Sequence, residues 1–414
     1  MARRDIVTAV DVGTAMVQTV VAERVPDRDT LQILAVGSVP SAGVRRGAVI
    51  DIEDTAAAIR QSVDQARKTA GVPIKSAWVG VDGAYISSLS VRGVVAVSRA
   101  DQEIAPEDVQ RVLAAAETFI PKNHNKEVLH IIPREFKVDN ESGVRDPIGM
   151  HGVRLEVEAL VVEATSLYLK SLFKAVEYAG LRVDGHVFSP LAAAETALTK
   201  RQKELGAILL DIGGGSSSFI VFEEGVPVHA GTIPIGGNHI TGDVAIGFRQ
   251  QFDVAERVKV AYGTCMTADL PKRDGIRLAE FIPGLEDVFS RRTLAEIVEA
   301  RLQDLFELLQ KELRRINRAR LLPGGVVLVG GSSLVPGIMG LTKKELGLPV
   351  ELGVPQGFLP MLDESAGPPM AAALGIAFWA SGRAKEPNSM EWTRHLPYAG
   401  GQAWIIRWLR SLLP

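Results

Sequence analysis

Two short stretches of this 414-residue chain end an apolar run on an aspartate and then turn through glycine. One is Ala9-Val10-Asp11-Val12-Gly13-Thr14; the other is Leu209-Leu210-Asp211-Ile212-Gly213-Gly214-Gly215-Ser216. A tight strand–turn–strand loop leaves backbone N–H groups free to surround phosphate oxygens, and glycine lets the backbone approach without a Cβ clash. An aspartate at the end of each first strand suits Mg²⁺ held through water, because that ion keeps much of its hydration shell. Asp11 and Asp211 are therefore the candidate metal residues. An isolated Asp-x-Gly turn is an ordinary hairpin. Two copies in matching contexts, one in each half, read as a duplicated phosphate clamp. Gly330-Gly331-Ser332-Ser333 follows an apolar run and forms a third loop, a natural place for adenine and ribose. The chain has no G-x-x-x-x-G-K-[ST] segment and no convincing G-x-G-x-x-G turn, which argues against a P-loop or Rossmann nucleotide site.

The elements that must position these loops alternate between strand and helix, an α/β pattern. Residues 6–10 and 16–21 read as strands around the first turn. Residues 54–70 read as a helix stopped by Gly71. Residues 77–81 are a short strand. Residues 87–164 form a separate block: strand 91–97, helix 106–118 with an acidic first turn, then strands 128–138 and 153–162. Helix 166–179 closes at Gly180. A second α/β half opens near Arg182, with strands 208–211 and 219–222, helices 254–262 and 294–318, strand 326–329 and a small-residue helix at 370–380. Residues 383–402 read as a flexible linker.

Length favours two lobes over one core. The net charge of −3 argues against a nucleic-acid partner. One cysteine, Cys265, allows neither an intrachain disulfide nor a cysteine metal site, and suits a reducing compartment. The histidines lack ligand-like spacing, so no metal beyond nucleotide-bound Mg²⁺ is expected. No signal peptide and no spanning run of about 18 apolar residues is read, so membrane contact is expected to be peripheral.

The three loops resemble the sugar kinase, heat-shock chaperone and actin superfamily. The segments RGVVAVSRADQEIAPEDVQRVLAAAE from Arg92, VLHIIPREFKVD from Val128 and RDPIGMHGVRLEVEA from Arg145 closely resemble the subdomain peculiar to the bacterial cell-division family FtsA. RRGAVIDIEDT, PIGGNHITGDVAIGF and AERVKVAYG are similar to the same family. The resemblance implies an actin-like two-lobed α/β fold with duplicated ribonuclease-H-like halves and an inserted small α+β subdomain. It implies a first lobe at 1–86, the insertion at 87–164 and a first-lobe return at 165–200. A second lobe at 201–382, a linker at 383–402 and a membrane helix at 403–414 complete the chain. It also implies ATP with Mg²⁺, self-assembly into actin-like filaments, contact with other division proteins and binding of the FtsZ C-terminal peptide at the membrane.

Carried over by position, the resemblance assigns Asp11, Gly13 and Thr14 to the first phosphate loop. Asp211, Gly213, Gly214, Gly215 and Ser216 fall in the second. Gly237 and Asn238 lie in a loop near the nucleotide. Glu256 and Lys259, on one helical face, belong near the ribose and base. Gly330, Gly331 and Ser332 form the adenosine loop. Two positions depart from the pattern. Met16 replaces a common lysine beside the first loop, and Ser189 stands where the chaperones carry a glutamate before proline. Serine is a poor base without a partner, so ATP binding with slow or absent hydrolysis is expected. A pilus-assembly scaffold like PilM, or a small-molecule kinase of the same fold, are the alternatives.

The tail AWIIRWLRSLL forms an amphipathic helix on paper. Trp404, Ile405, Trp408, Leu409, Leu412 and Leu413 share an apolar face with Ile406 at its edge; Arg407 and Arg410 lie opposite. That pattern suits the headgroup region of an anionic membrane. A linker of roughly 20 residues gives a reach near 25 Å. Arg291, Arg292 and Arg301, at and along the helix read at 294–318, are the candidate contacts for acidic residues of the FtsZ peptide.

Overall fold

The structure is a computed structural model, and it describes residues 5–25, 30–121, 125–271, 273–359 and 367–383. The linker and the amphipathic tail lie outside the described residues. The first lobe opens with β1 (Ile6–Val12), β2 (Met16–Arg24) and β3 (Leu31–Pro40), antiparallel neighbours. A small ribbon, β4 (Val44–Arg45) and β5 (Ala48–Val49), leads to helix α1 (Ile52–Ala70) and the parallel strand β6 (Ser76–Val81). Asp51 caps α1 by accepting the Asp54 N–H, and Gly71 closes it in the left-handed region at φ 66°.

From β6 the chain enters the inserted subdomain. It contains β7 (Ile86–Ala96), α2 (Pro106–Thr118), β8 (Lys126–Val138), β9 (Glu141–Val144) and β10 (Arg154–Thr165). Its sheet runs β7-β10-β8-β9 and buries a separate core around Val112, Phe136 and Leu155 against α2. The sequence pattern missed β9, whose short polar run ESGV has no apolar alternation. Helix α3 (Ser166–Tyr178) then returns to β11 (Arg182–Phe188).

The second lobe repeats the first. Helices α4 (Ser189–Ala197) and α5 (Lys200–Leu205) lead to β12 (Ala207–Ile212), β13 (Ser217–Glu223) and β14 (Val226–Ile233). Helices α6 (Gly237–Phe248) and α7 (Phe252–Tyr262), the short strands β15 (Gly275–Arg277) and β16 (Val288–Ser290), and the long helix α8 (Arg291–Arg315) follow. Then come β17 (Gly325–Val329), α9 (Ile338–Leu346), β18 (Val350–Leu352) and α10 (Ala371–Arg383). The sheet orders are β3-β2-β1-β6-β11 and β14-β13-β12-β17-β18. Both comprise three antiparallel strands followed by two parallel ones, as two copies of one unit would. β1 and β12 are buried on both faces apart from Ile6 and the two aspartates, which explains their largely apolar runs.

Three expectations need correction. Residues from Arg182 do not open the second half: β11 pairs parallel with β6, Arg182 to Ser76 through Phe188 to Val81, and so ends the first sheet. The helix read at 294–318 spans Arg291–Arg315. Ser290 caps it from the Thr293 N–H, and Asn317 turns away at φ 57°. Finally, α10, placed by sequence with the second lobe, packs on the first. Its Ala373, Leu374, Ile376 and Ala377 bury against Val7, Ala9 and Val20. Gly375 permits the crossing with α4, since a Cβ there would lie 2.4 Å from the Ala192 carbonyl. Periodicity reports that an element is buried, not which sheet buries it.

Candidate functional site

The two Asp-x-Gly hairpins have the same frame. Val12 pairs with Val17 and Asp11 with Gln18; Ile212 pairs with Ser217 and Asp211 with Ser218. Each loop closes by one matching bond, Gly13 N–H to Met16 O at 3.0 Å and Gly213 N–H to Ser216 O at 3.1 Å. The tips meet across the lobe boundary: a Cβ on Gly215 would lie 2.5 Å from Thr14 Oγ1. Between them is a cleft of about 420 Å³, of the size of small-molecule sites. Every residue read from the sequence as nucleotide-binding lines this one cleft, and so do Met16 and Ser189.

The loop amides are the first useful chemistry. The N–H groups of Thr14, Ala15, Gly214 and Gly215 donate to no protein acceptor among the described residues, and all four residues line the cleft. Unspent donors in consecutive turn residues are what a phosphate requires. The loop carbonyls point the other way and are held. Gly237 and Asn238 donate to the carbonyls of Gly213 and Gly214 at 2.9 and 2.7 Å, and Ser41 donates to Ala15 O at 2.9 Å. The first turn of α6 thus braces the second loop instead of facing the cleft with free amides. Ser332 Oγ, from the third loop, donates to Gly213 O at 3.4 Å.

Lys259 and Glu256 pair at 2.6 Å on α7, at the expected i, i+3 spacing. The Lys259 ammonium also donates to Thr241 Oγ1 at 2.9 Å and Gly237 O at 3.2 Å, which ties α7 to the start of α6. Val260 and Leu334, both exposed, add an apolar lining near this pair. Sequence reading had not selected them, because a lone exposed aliphatic carries no signal.

Three carboxylates converge on the cleft floor. Desolvation, then the nearby Asp82 charge, push Asp11 up to about 7, against a hydrogen bond from Ser189 Oγ at 3.3 Å. Desolvation raises Asp82 to about 6, opposed by bonds from Ser218 and from Gly83 N–H. Asp211 is raised well above the usual carboxylate range by desolvation, then by Asp82 and Asp11. Asp82 was missed from the sequence: Val79-Gly80-Val81-Asp82-Gly83 also ends an apolar strand on an aspartate and a glycine, but without the intervening residue of the two Asp-x-Gly loops.

This chemistry fits Mg²⁺ with a polyphosphate. Clustered, desolvated carboxylates are relieved by a cation, and the amides beside them suit its anionic ligand. Among the described residues no three potential ligands are grouped to hold a bare ion, so Asp11, Asp82 and Asp211 would act through its water shell.

The candidate partner arginines lie apart from the cleft, on α8, and all three are engaged within the chain. Arg291 pairs with Asp274 at 3.2 Å and lies over the Tyr262 ring, and Arg292 donates to Leu270 O at 3.3 Å. Arg301 makes a two-pronged contact with Asp243 of α6, at 2.6 and 3.0 Å, and a third bond to Asp304.

Comparison with solved structures defines the class. The fold matches a PilM–PilN type IV pilus biogenesis complex over 91% of this chain and 98% of that one, with TM-score 0.67 at 19% identity. It matches MreB5 of Spiroplasma citri bound to AMPPNP at TM-score 0.52 and 14% identity, covering 92–93% here and 98% there for the AMPPNP and ADP forms. This is an actin-like, two-lobed fold. The sequence matches the family models "Cell division protein FtsA" over residues 208–375 and "SHS2 domain inserted in FTSA" over residues 83–163. It is 36% identical to the cell division protein FtsA of Pseudomonas aeruginosa over 93% of this chain and 91% of that protein. It is 37% identical to that of Bacillus subtilis over 84% and 78%, and 30% identical to that of Escherichia coli K12 over 99% and 98%. The chain belongs to the FtsA family of cell division proteins.

Proposed function

We propose that this protein binds Mg·ATP between its lobes, polymerises on the cytoplasmic face of the cell membrane and tethers FtsZ filaments there during septum formation. The observation that carries the nucleotide reading is the pair of same-register hairpins whose unspent amides face a cleft floored by three carboxylates. Family membership supports the division role. Ser189 is spent on Asp11 instead of activating water, and Met16 supplies no cation, so turnover is slow. Titration of the protein with a fluorescent ATP analogue, with Mg²⁺ and with EDTA, tests the site; equal, negligible binding in both would sink it.

Among the described residues no helix is long and apolar enough to cross a membrane, and the proposed anchor is the tail helix beyond them. Co-sedimentation with anionic vesicles should fall to background when the residues after Gly401 are removed. The FtsZ peptide is proposed to meet the α8 region. Arg291 and Arg292 are the better probes, because reversing Arg301 would first break its bonds to Asp243. Unchanged peptide affinity in an Arg291→Glu, Arg292→Glu double variant removes them from that surface. Electron microscopy on lipid monolayers with ATP, with and without FtsZ, tests the assembly directly. Protein that forms no filaments there would refute that part.

A further inference from the structure

Asp82 belongs to neither phosphate loop, yet it lies between both. Its Oδ1 accepts from the Gly83 N–H at 2.7 Å and from the hydroxyl of Ser218, a residue of the second lobe. Its Oδ2 has no hydrogen-bond partner among the described residues, and Asp82 lines the cleft. One carboxylate oxygen therefore joins the lobes while the other is unspent.

The bond to Ser218 continues beyond the cleft. Ser218 Oγ lies 3.0 Å from Thr232 Oγ1 on β14. Further along that strand, Ala230 is gripped on both its backbone groups by one hydroxyl. Ser88 Oγ donates to Ala230 O at 2.5 Å and accepts from Ala230 N–H at 3.2 Å. Ser88 sits on β7, the strand by which the chain leaves Asp82 and enters the inserted subdomain. The path closes on itself: Asp82, Ser218, Thr232, Ala230, Ser88 and back along the chain. Gly83 makes the corner at φ 142°, where a Cβ would strike Tyr85.

A ligand moves an equilibrium only if it interacts differently with the two states. That difference is present here. Asp11 and Asp82 come from the first lobe and Asp211 from the second, and all three line one cleft, so a divalent cation there is held from both lobes at once and is held best when the lobes are close. The cation therefore favours the closed arrangement over one in which the lobes stand apart.

We propose that Asp82 is a positioning residue that couples Mg-nucleotide in the cleft to docking of the inserted subdomain on the second lobe. Oδ2 faces the hydrated cation, Oδ1 keeps Ser218, and the tightened bond is passed along β14 to Ser88. The coupling rests on the nucleotide reading above.

The test is hydrogen–deuterium exchange of the full chain with and without Mg²⁺ and a non-hydrolysable ATP analogue. Binding is titrated in parallel, and every protein is compared at saturation. In the wild type, Mg-nucleotide should slow exchange in residues 86–96 and 226–233 by about threefold or more, and nucleotide with EDTA should not. Asp82→Asn still accepts the Ser218 bond, so it should keep the nucleotide-free protection and lose the response. Ser218→Ala should lose both while binding nucleotide within about tenfold of the wild type. Wild type that binds without slowing these segments, or an Asp82→Asn protein that responds fully, overturns the coupling alone. A wild type that binds no Mg-nucleotide removes the nucleotide reading first, and the titration shows which has failed.

Discussion

The two hairpins share strand register and closing bond but differ in what holds them. The first loop, Gly-Thr-Ala-Met, has one outside bond, from Ser41 N–H to Ala15 O, and is further steadied by its own side chain: Thr14 Oγ1 accepts the Gly47 N–H at 2.8 Å, and Met16 lies half-open to solvent. The second, Gly-Gly-Gly-Ser, has no side chain able to do this at its tip, and is held from behind by the start of α6 and by Ser332. Glycine frees the backbone for close approach but costs conformational entropy, and the cost is offset by outside bracing. Each lobe also keeps a glycine against its aspartate. A Cβ on Gly80 would lie 2.9 Å from Asp11 Oδ1, and one on Gly330 would lie 2.3 Å from Asp211 Oδ1. One backbone frame thus carries two unequal halves of a site.

The largest test of that inequality is alanine at the two glycines. Gly330 sits at φ +84° as well as against Asp211, so Gly330→Ala should cost about 2–4 kcal/mol and abolish measurable nucleotide binding. Gly80 lacks the positive φ and meets the Ile376 and Ser189 side chains, so Gly80→Ala should cost about 1–3 kcal/mol. Denaturant melts of both variants check the order; a reversed order would break the comparison.

The pH dependence comes next. Asp11 and Asp82 have folded-state values near 7 and 6, above the ordinary 3.8. Between pH 4 and 7 the native state therefore binds more protons than the unfolded chain. Stability of the nucleotide-free protein should fall as pH rises through that window, by at most about 1.4 kcal/mol per pH unit for each group. It is fully present below pH 4. Asp11→Asn should flatten the slope, and so should saturating Mg·ATP. Thermal melts from pH 4.5 to 7.5 measure it; a slope of opposite sign would refute the cluster.

Lys259→Ala should weaken nucleotide binding by about tenfold, chiefly by loosening α7 from α6. The smallest effect is expected at Met16→Lys. Met16 is exposed on the cleft rim, so a lysine there should raise ATP affinity a few fold, the gain fading with salt, and change stability by less than about 0.5 kcal/mol. A gain matching the Lys259 loss would mean that the first loop needs a cation as much as the second.

Much of this was legible in the chain itself. Both aspartate turns, the third glycine loop, the Glu256–Lys259 pair and the extent of α2 could be read directly, because each depends on neighbours within a few residues. The separate character of the insertion was also visible as a local run of strand, helix and strands. Asp82 carries only part of the local signal of the other two aspartates, since Gly83 follows it directly and no Asp-x-Gly loop forms there.

What the sequence determined by itself was local: which residues turn, which carry charge, and which runs must be buried. Only the tertiary structure decided that β11 and α10 serve the first sheet and that Arg301 is occupied by Asp243. It also placed Asp82 and Ser218 against each other across the lobes. These are contacts between residues tens to hundreds of positions apart. Hydrophobic burial dictates that such surfaces be covered, but shape and charge complementarity between distant segments decide by what.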